Sequence, residues 1–232
     1  MKHKTVLSFD ELRDEFSNSI KPRTTNQKLY WDLLKDDTKS IVIAHGPAGS
    51  GKTLLATQNG IDLMKLQKIE KIVITRPVVG ADEEIGFLPG TLNKKMEPWT
   101  RPLYDIFHKN YTVNRVKRMV NDEQIEVAPL AFMRGRTLNN SFVILDEAQN
   151  ATHNQIKMFL TRCGKYSRMV VVGDPSQSDL NRKSDSGLLS SIKILRHIDD
   201  IAIINFDQND IVRDEMVTKI INAYDLYDDQ VR

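Results

Sequence analysis

Six short apolar runs, rich in β-branched residues, recur along the chain: Ile41 to Ala44, Lys71 to Thr75, Gln124 to Val127, Phe142 to Leu145, Met169 to Val172 and Ile201 to Asn205. Their near-continuous apolarity predicts strands covered on both faces. Between them the pattern changes to helical spacing, from Lys52 to Gln67 and from Asn154 to Cys163, where Ile156, Phe159 and Leu160 share a face. A helix is also expected over Asn26 to Leu34 and a short one over Ser8 to Phe16, separated by the break Lys21-Pro22-Arg23-Thr24. Strands alternating with helices predict an α/β fold built on a doubly wound, mostly parallel sheet. Residues 77–118 depart from this rhythm, with Pro77, Pro89, Pro98 and Pro102, breaks at Gly80, Gly86 and Gly90, and no strand. They read as an irregular insertion after the second core strand of a single domain, 1–232, which also carries an N-terminal extension, 1–24.

The first strand runs into Gly46-Pro47-Ala48-Gly49-Ser50-Gly51-Lys52-Thr53, a complete G-x-x-x-x-G-K-[ST] sequence between a strand and a helix. Its glycines let successive backbone N–H groups curl round an anion, and the helix that follows adds its positive end. Lys52 supplies a cation and Thr53 a hydroxyl suited to Mg²⁺, so a nucleoside triphosphate is the expected guest. Such a loop needs a carboxylate from another strand to hold the metal. Phe142-Val143-Ile144-Leu145-Asp146-Glu147 offers one: Asp146 to hold Mg²⁺ and Glu147 to orient and deprotonate an attacking water. A strand ending in two solvated acids is the plainer reading of that pair. The next strand ends in Gly173-Asp174-Pro175-Ser176-Gln177, where Gln177 is placed to meet a γ-phosphate or the water; a simple turn is the alternative. Three polar strand ends on one edge are what a ligand crevice in an open parallel sheet requires.

Composition adds little globally and more locally. Lys plus Arg number 33 against 31 Asp plus Glu, so the net charge of +2 does not select a partner. From Asn93 to Arg118, however, seven basic residues face only Glu97 and Asp105, while from Asp199 onward acids outnumber bases nine to three. The basic stretch is interleaved with Trp99, Tyr104, Phe107 and Tyr111, and Arg134 and Arg136 follow. Cations track phosphates and aromatic faces stack on unpaired bases, which points to single-stranded RNA or DNA. Tyr104 and Phe107, three residues apart, equally suit pinning the insertion to the core. Cys163, the only cysteine, excludes an intrachain disulfide and is expected as a buried helix residue. His45 is expected as a strand-end residue and not a base. Met1 to Asp10 has no apolar signal core and no window approaches a membrane span, so no membrane partner and a cytoplasmic location are expected.

The motifs also carry a resemblance. Asp146-Glu147-Ala148-Gln149 and Gly173-Asp174-Pro175-Ser176-Gln177 are similar to motifs II and III of superfamily-one helicases, and Gln27 resembles their adenine-reading glutamine. Closer still is the PhoH-like family, whose hallmarks appear as Thr75-Arg76-Pro77, the segment Gly86 to Gly90, Arg101-Pro102-Leu103-Tyr104-Asp105, the run from Ala128 to Leu138, and Ser186-Gly187-Leu188. Asp82 and Thr91 depart from that family's usual residues. The resemblance implies a RecA-like P-loop ATPase core using ATP and Mg²⁺, assembly as a ring, often hexameric, and a link to nucleic acid. A ring ATPase often borrows a cation from its neighbour. Arg213 is the candidate, with Arg162 and Arg168 behind it; a salt bridge from Arg213 to Asp210 or Asp214 is the plain alternative. The function expected is Mg²⁺-dependent ATP hydrolysis coupled to nucleic-acid binding or remodelling. An ATP-binding switch, a small-molecule kinase and a structural protein are the rival readings.

Overall fold

The computed structural model describes residues 20–77, 92–180 and 186–212, with 92–99 in backbone only, and positions 216, 217, 220 and 224. The expected helix at Ser8 to Phe16 and the positions Asp82, Thr91 and Gly86 to Gly90 lie outside the described residues. Among the described residues there are six strands: β1 (Ile41–His45), β2 (Lys71–Arg76), β3 (Ile125–Pro129), β4 (Ser141–Leu145), β5 (Arg168–Gly173) and β6 (Ile201–Asn205). They pair only in parallel, in the order β3-β2-β4-β5-β1-β6.

Parallel pairing explains the apolar runs, because crossover helices must cover both faces. Successive strand residues divide between two cores. Val42, Ala44, Ile72, Ile74, Phe142, Ile144, Val170 and Val172 face one. Ile43, Val73, Val143, Leu145, Met169 and Val171 face the other. The first core is covered by α1 (Thr25–Lys35) through Tyr30 and Leu34, α2 (Lys52–Lys65) through Leu55 and Ile61, α3 (Leu92–His108) through Leu103 and Phe107, and α4 (Val113–Asn121) through Val116 and Met119. The second is covered by α5 (His153–Leu160) and α6 (Gly187–Leu195), through Ile156, Phe159 and Leu188.

Two expectations change. The insertion is helical from Leu92 and not irregular there, and α3 runs through Pro98 and Pro102. Proline inside a helix costs roughly 3 kcal/mol through its missing N–H and its ring clash. Burial of Leu103, Ile106 and Phe107 against the core offsets that cost. Cys163 falls in the turn after α5, half-buried, because the helix already ends at Leu160. Burial pushes its thiol up. Among the described residues no helix is long and apolar enough to cross a membrane.

Candidate nucleotide site

The order β4-β5-β1 brings three strand ends side by side, and each delivers part of the site. After β1 the chain turns through Gly46, with φ +137°, Gly49 and Gly51, both with φ +82°, and enters α2 at Lys52. A Cβ on Gly46 would lie 2.3 Å from the carbonyl of Phe206, so no side chain fits at that crossing. Lys52 is buried, and its Nζ donates to the carbonyls of Gly46 (2.8 Å) and Pro47 (2.7 Å) and to Ser50 Oγ (3.0 Å). Burial pulls its pKa below the ordinary lysine value, against the opposing pull of Asp174, Asp146 and Glu147.

β4 delivers Asp146, almost wholly buried. Its Oδ1 accepts from Thr53 Oγ1 at 2.7 Å, and its Oδ2 accepts from Arg76 Nε and Nη2 at 2.8 and 2.6 Å. Its own N–H donates to the carbonyl of Thr75, which ties the end of β4 to β2. Glu147 follows in the left-handed region, φ +55° and ψ +39°, a conformation that costs a non-glycine residue and concentrates at functional sites. That turn leaves its carboxylate at the surface, where Gln149 Nε2 donates to it at 2.7 Å.

β5 delivers Asp174. Its Oδ2 accepts the N–H of Ala48 at 3.0 Å, and its Oδ1 accepts from Ser176 N (3.0 Å) and Ser176 Oγ (2.7 Å). The Asp174 N–H donates to Gln149 Oε1 at 3.0 Å. A continuous chain of bonds therefore runs from the phosphate loop through Asp174 and buried Gln149 to Glu147. Exposed Gln177 lies beyond this turn and lines, with Arg76, Glu147 and Gln149, a cavity of about 380 Å³.

Two further segments brace the loop. Buried Gln27, at the third position of α1, completes a capping box with Thr24. Its Oε1 accepts from Arg23 N (2.7 Å) and Thr24 N (3.4 Å), and its Nε2 donates to the carbonyls of Ser50 (3.0 Å) and Asp210 (3.5 Å). After β6, the N–H of Val212 donates to the carbonyl of Gly49 at 3.4 Å.

Residues 19–225 match the family described as PhoH-like protein. The chain belongs to the PhoH-like family. It is similar to PhoH-like proteins from Mycobacterium leprae, 45% identical over 97% of this chain and 63% of that protein, and from Bacillus subtilis, 47% identical over 89% of this chain and 64% of that protein. It thus spans somewhat under two thirds of the length of these relatives. In fold it is similar to the large terminase of a thermophilic bacteriophage, with a TM-score of 0.52 at 9% identity, covering 87% of this chain and 50% of that one. The likeness is one of fold.

In this PhoH-like chain Thr53 of the Gly46–Thr53 loop meets Asp146, Glu147 and Gln177 line one cavity, and Gln27 lies against the loop. Arg213 lies outside the described residues. Arg168 starts β5, at the edge of the sheet opposite the loop, where it donates to the carbonyls of Leu34 and Asp36 and pairs with Asp37. Arg162 is spent on the carbonyls of Met158 and Arg136. His45 ends β1, half-buried, its pKa lowered by burial and by Lys52. Phe107 is fully buried, and Tyr104 and Tyr111 pack on the same core, so these three pin α3 and the turn after it to the core. Three further side chains join this cluster without having been singled out from the sequence: Arg76, Gln149 and Asp174. The signal that finds Arg76 is the one that found Asp146, a charged residue closing an apolar parallel strand.

Proposed function

We propose that this chain is a Mg²⁺-dependent ATP hydrolase whose turnover is coupled to binding or remodelling of single-stranded nucleic acid. The observation that carries the hydrolytic reading is the pairing of Thr53 Oγ1 with Asp146 Oδ1 at 2.7 Å, beside Glu147. Two hard oxygen donors at the mouth of a phosphate loop fit a magnesium ion, which takes few protein ligands and completes its shell with water and phosphate. When bound, Mg²⁺ neutralises charge on the β- and γ-phosphates. Lys52 exchanges the loop carbonyls for phosphate oxygens, and the loop N–H groups hold the remaining charge. Glu147, kept in place by Gln149, orients a water and accepts its proton, and Gln177 contacts the transferred group from across the cavity. Gln27 acts by fixing Ser50; reading an adenine would require it to exchange one of its present bonds.

Exposed charge supports the nucleic-acid half. From Thr100 to Asn121 the surface of α3, α4 and the turn between them carries Arg101, His108, Lys109, Arg115, Lys117 and Arg118 against Asp105 alone. Stacking falls to Phe132, which is 53% exposed beside exposed Arg134, in the run where the family resemblance is strongest. A ring, with the hexamer as its expected size and Arg213 as the cation for a neighbouring site, completes the proposal. Subunits carrying Arg213→Ala mixed with subunits carrying Lys52→Ala regain partial turnover if that arginine acts between chains.

The decisive experiment measures phosphate release with and without single-stranded and duplex RNA and DNA, for the native chain and Glu147→Gln. The native chain should be stimulated by a single strand, and the variant should bind ATP with turnover reduced about 10²- to 10⁴-fold. Turnover indifferent to every nucleic acid refutes the coupling and leaves an ATP-driven switch. A phosphorylated small product in place of free phosphate refutes hydrolysis.

A further inference from the structure

The Arg76–Asp146 pair does more than join two strands. β2 and β4 are already hydrogen-bonded in register from Lys71↔Ser141 to Thr75↔Leu145, and the Asp146 N–H is held by Thr75. An ion pair is not needed to hold these strand ends together. It is nevertheless two-pronged, on one oxygen, and largely withdrawn from water, the side chains being 15% and 5% exposed. The other oxygen faces Thr53. A guanidinium and a divalent ion on opposite oxygens of one carboxylate repel, and reduced solvent access strengthens that repulsion. Each also weakens the negative charge that attracts the other.

We propose that Arg76 is the resident counter-ion of Asp146, and that it denies this carboxylate to a free divalent ion so that metal enters only together with nucleotide. The inference rests on the ATP and Mg²⁺ reading above. With Arg76 and Lys52 against Asp146, Glu147 and Asp174, the site keeps one net negative charge, and Arg76 cancels that of the carboxylate a bare dication would need. A triphosphate on the loop turns the site strongly negative and reverses this. Arg76 also lines the cavity that holds Glu147 and Gln177, so it stays beside the reacting group whichever cation holds Asp146. It is a positioning residue whose effect is read in metal binding before it is read in turnover.

The test is an electron paramagnetic resonance titration of Mn²⁺ into the full chain, native and with Arg76→Ala, Arg76→Gln or Arg76→Lys, with and without a non-hydrolysable ATP analogue. Without nucleotide, Arg76→Ala and Arg76→Gln should tighten Mn²⁺ binding by about tenfold, because the positive charge that competes for Asp146 is removed. Arg76→Lys, which keeps the charge but not the fork, should stay near the native value. The gain should vanish when Asp146→Asn is added. With the analogue present the difference between native and variant should shrink. Free Mn²⁺ bound no more tightly by Arg76→Gln, a variant of similar size suited to the same hydrogen bonds, overturns the proposal while leaving the ATP reading intact. A native chain that binds no analogue even with Mn²⁺ overturns both.

Discussion

Neutralising Glu126 should destabilise the fold by an amount that disappears in acid. Glu126 lies on the edge strand β3, where its two oxygens accept from Arg136 Nη1 at 2.6 Å and Nη2 at 2.8 Å, and Lys71 Nζ lies 2.8 Å away. The hydrogen bond from Arg136 is the main cause, and the Lys71 bond and both cations add to it, of a carboxyl pKa lowered from 4.5 to about 2. At 1.36 kcal/mol per pH unit that fall corresponds to roughly 3 kcal/mol. The side chain is 25% exposed, so screening reduces the figure to about 2 kcal/mol. Because the folded-state value lies below the ordinary one, the contribution is complete above about pH 4.5 and is lost as the pH falls from 4.5 toward 2. Urea unfolding of the native chain and of Glu126→Gln, repeated from pH 7 to pH 3, measures it. At neutral pH the variant should be less stable by about 2 kcal/mol, or roughly 4–8 °C in Tm for a chain of this size. The gap should narrow steadily below pH 4.5. A gap that stays constant across the range refutes the assigned cause, and no gap at any pH refutes the ion pair's contribution altogether.

Lys52→Ala removes three hydrogen bonds inside the loop and the cation that faces phosphate; nucleotide binding, followed with a fluorescent ATP analogue, should be lost while thermal unfolding still shows a cooperative fold. Gln149→Leu leaves the Asp174 N–H without its acceptor and Glu147 without its donor, so a cost of about 1–3 kcal/mol in stability and a fall in kcat at little changed nucleotide affinity are expected, and an unchanged kcat would count against the Gln149 relay. Phe132→Ala should weaken single-strand binding by about 1–3 kcal/mol at unchanged basal turnover, measured by fluorescence anisotropy. Replacing Arg115 and Lys117 together by Ala should instead flatten the salt dependence of that binding, without altering the preference for single strands.

The parts of this molecule that depend on near neighbours in sequence were legible, and the parts assembled across the chain were not. Runs such as Ile41 to Ala44 reveal strands because both faces are buried, and every strand lies within two residues of its expected ends. The phosphate loop is equally local. Arg76 and Asp146 are 70 positions apart, Ala48 and Asp174 126, and Gln149 and Asp174 25, so their pairing is a product of the strand order and not of any motif. Helix α3 was hidden for a different reason. Pro98 and Pro102 argue locally against a helix, and the packing of Leu103 and Phe107 that overrides them is tertiary. Phe107 and Phe132 show the same limit: both are aromatics near arginines, and only the fold separates the buried one from the exposed one.

The bonds from Gln27 to Ser50 and from Val212 to Gly49 make the phosphate loop the meeting point of two distant stretches of chain, one ahead of β1 and one beyond β6. A loop gripped in this way cannot rearrange round an anion in isolation. Any shift pulls on α1 at one side and on the turn at Gln208–Asp210 at the other, which are themselves joined through Asn26 and Asp210. The loop is therefore braced from both sides, and a displacement of either stretch reaches it through a single hydrogen bond.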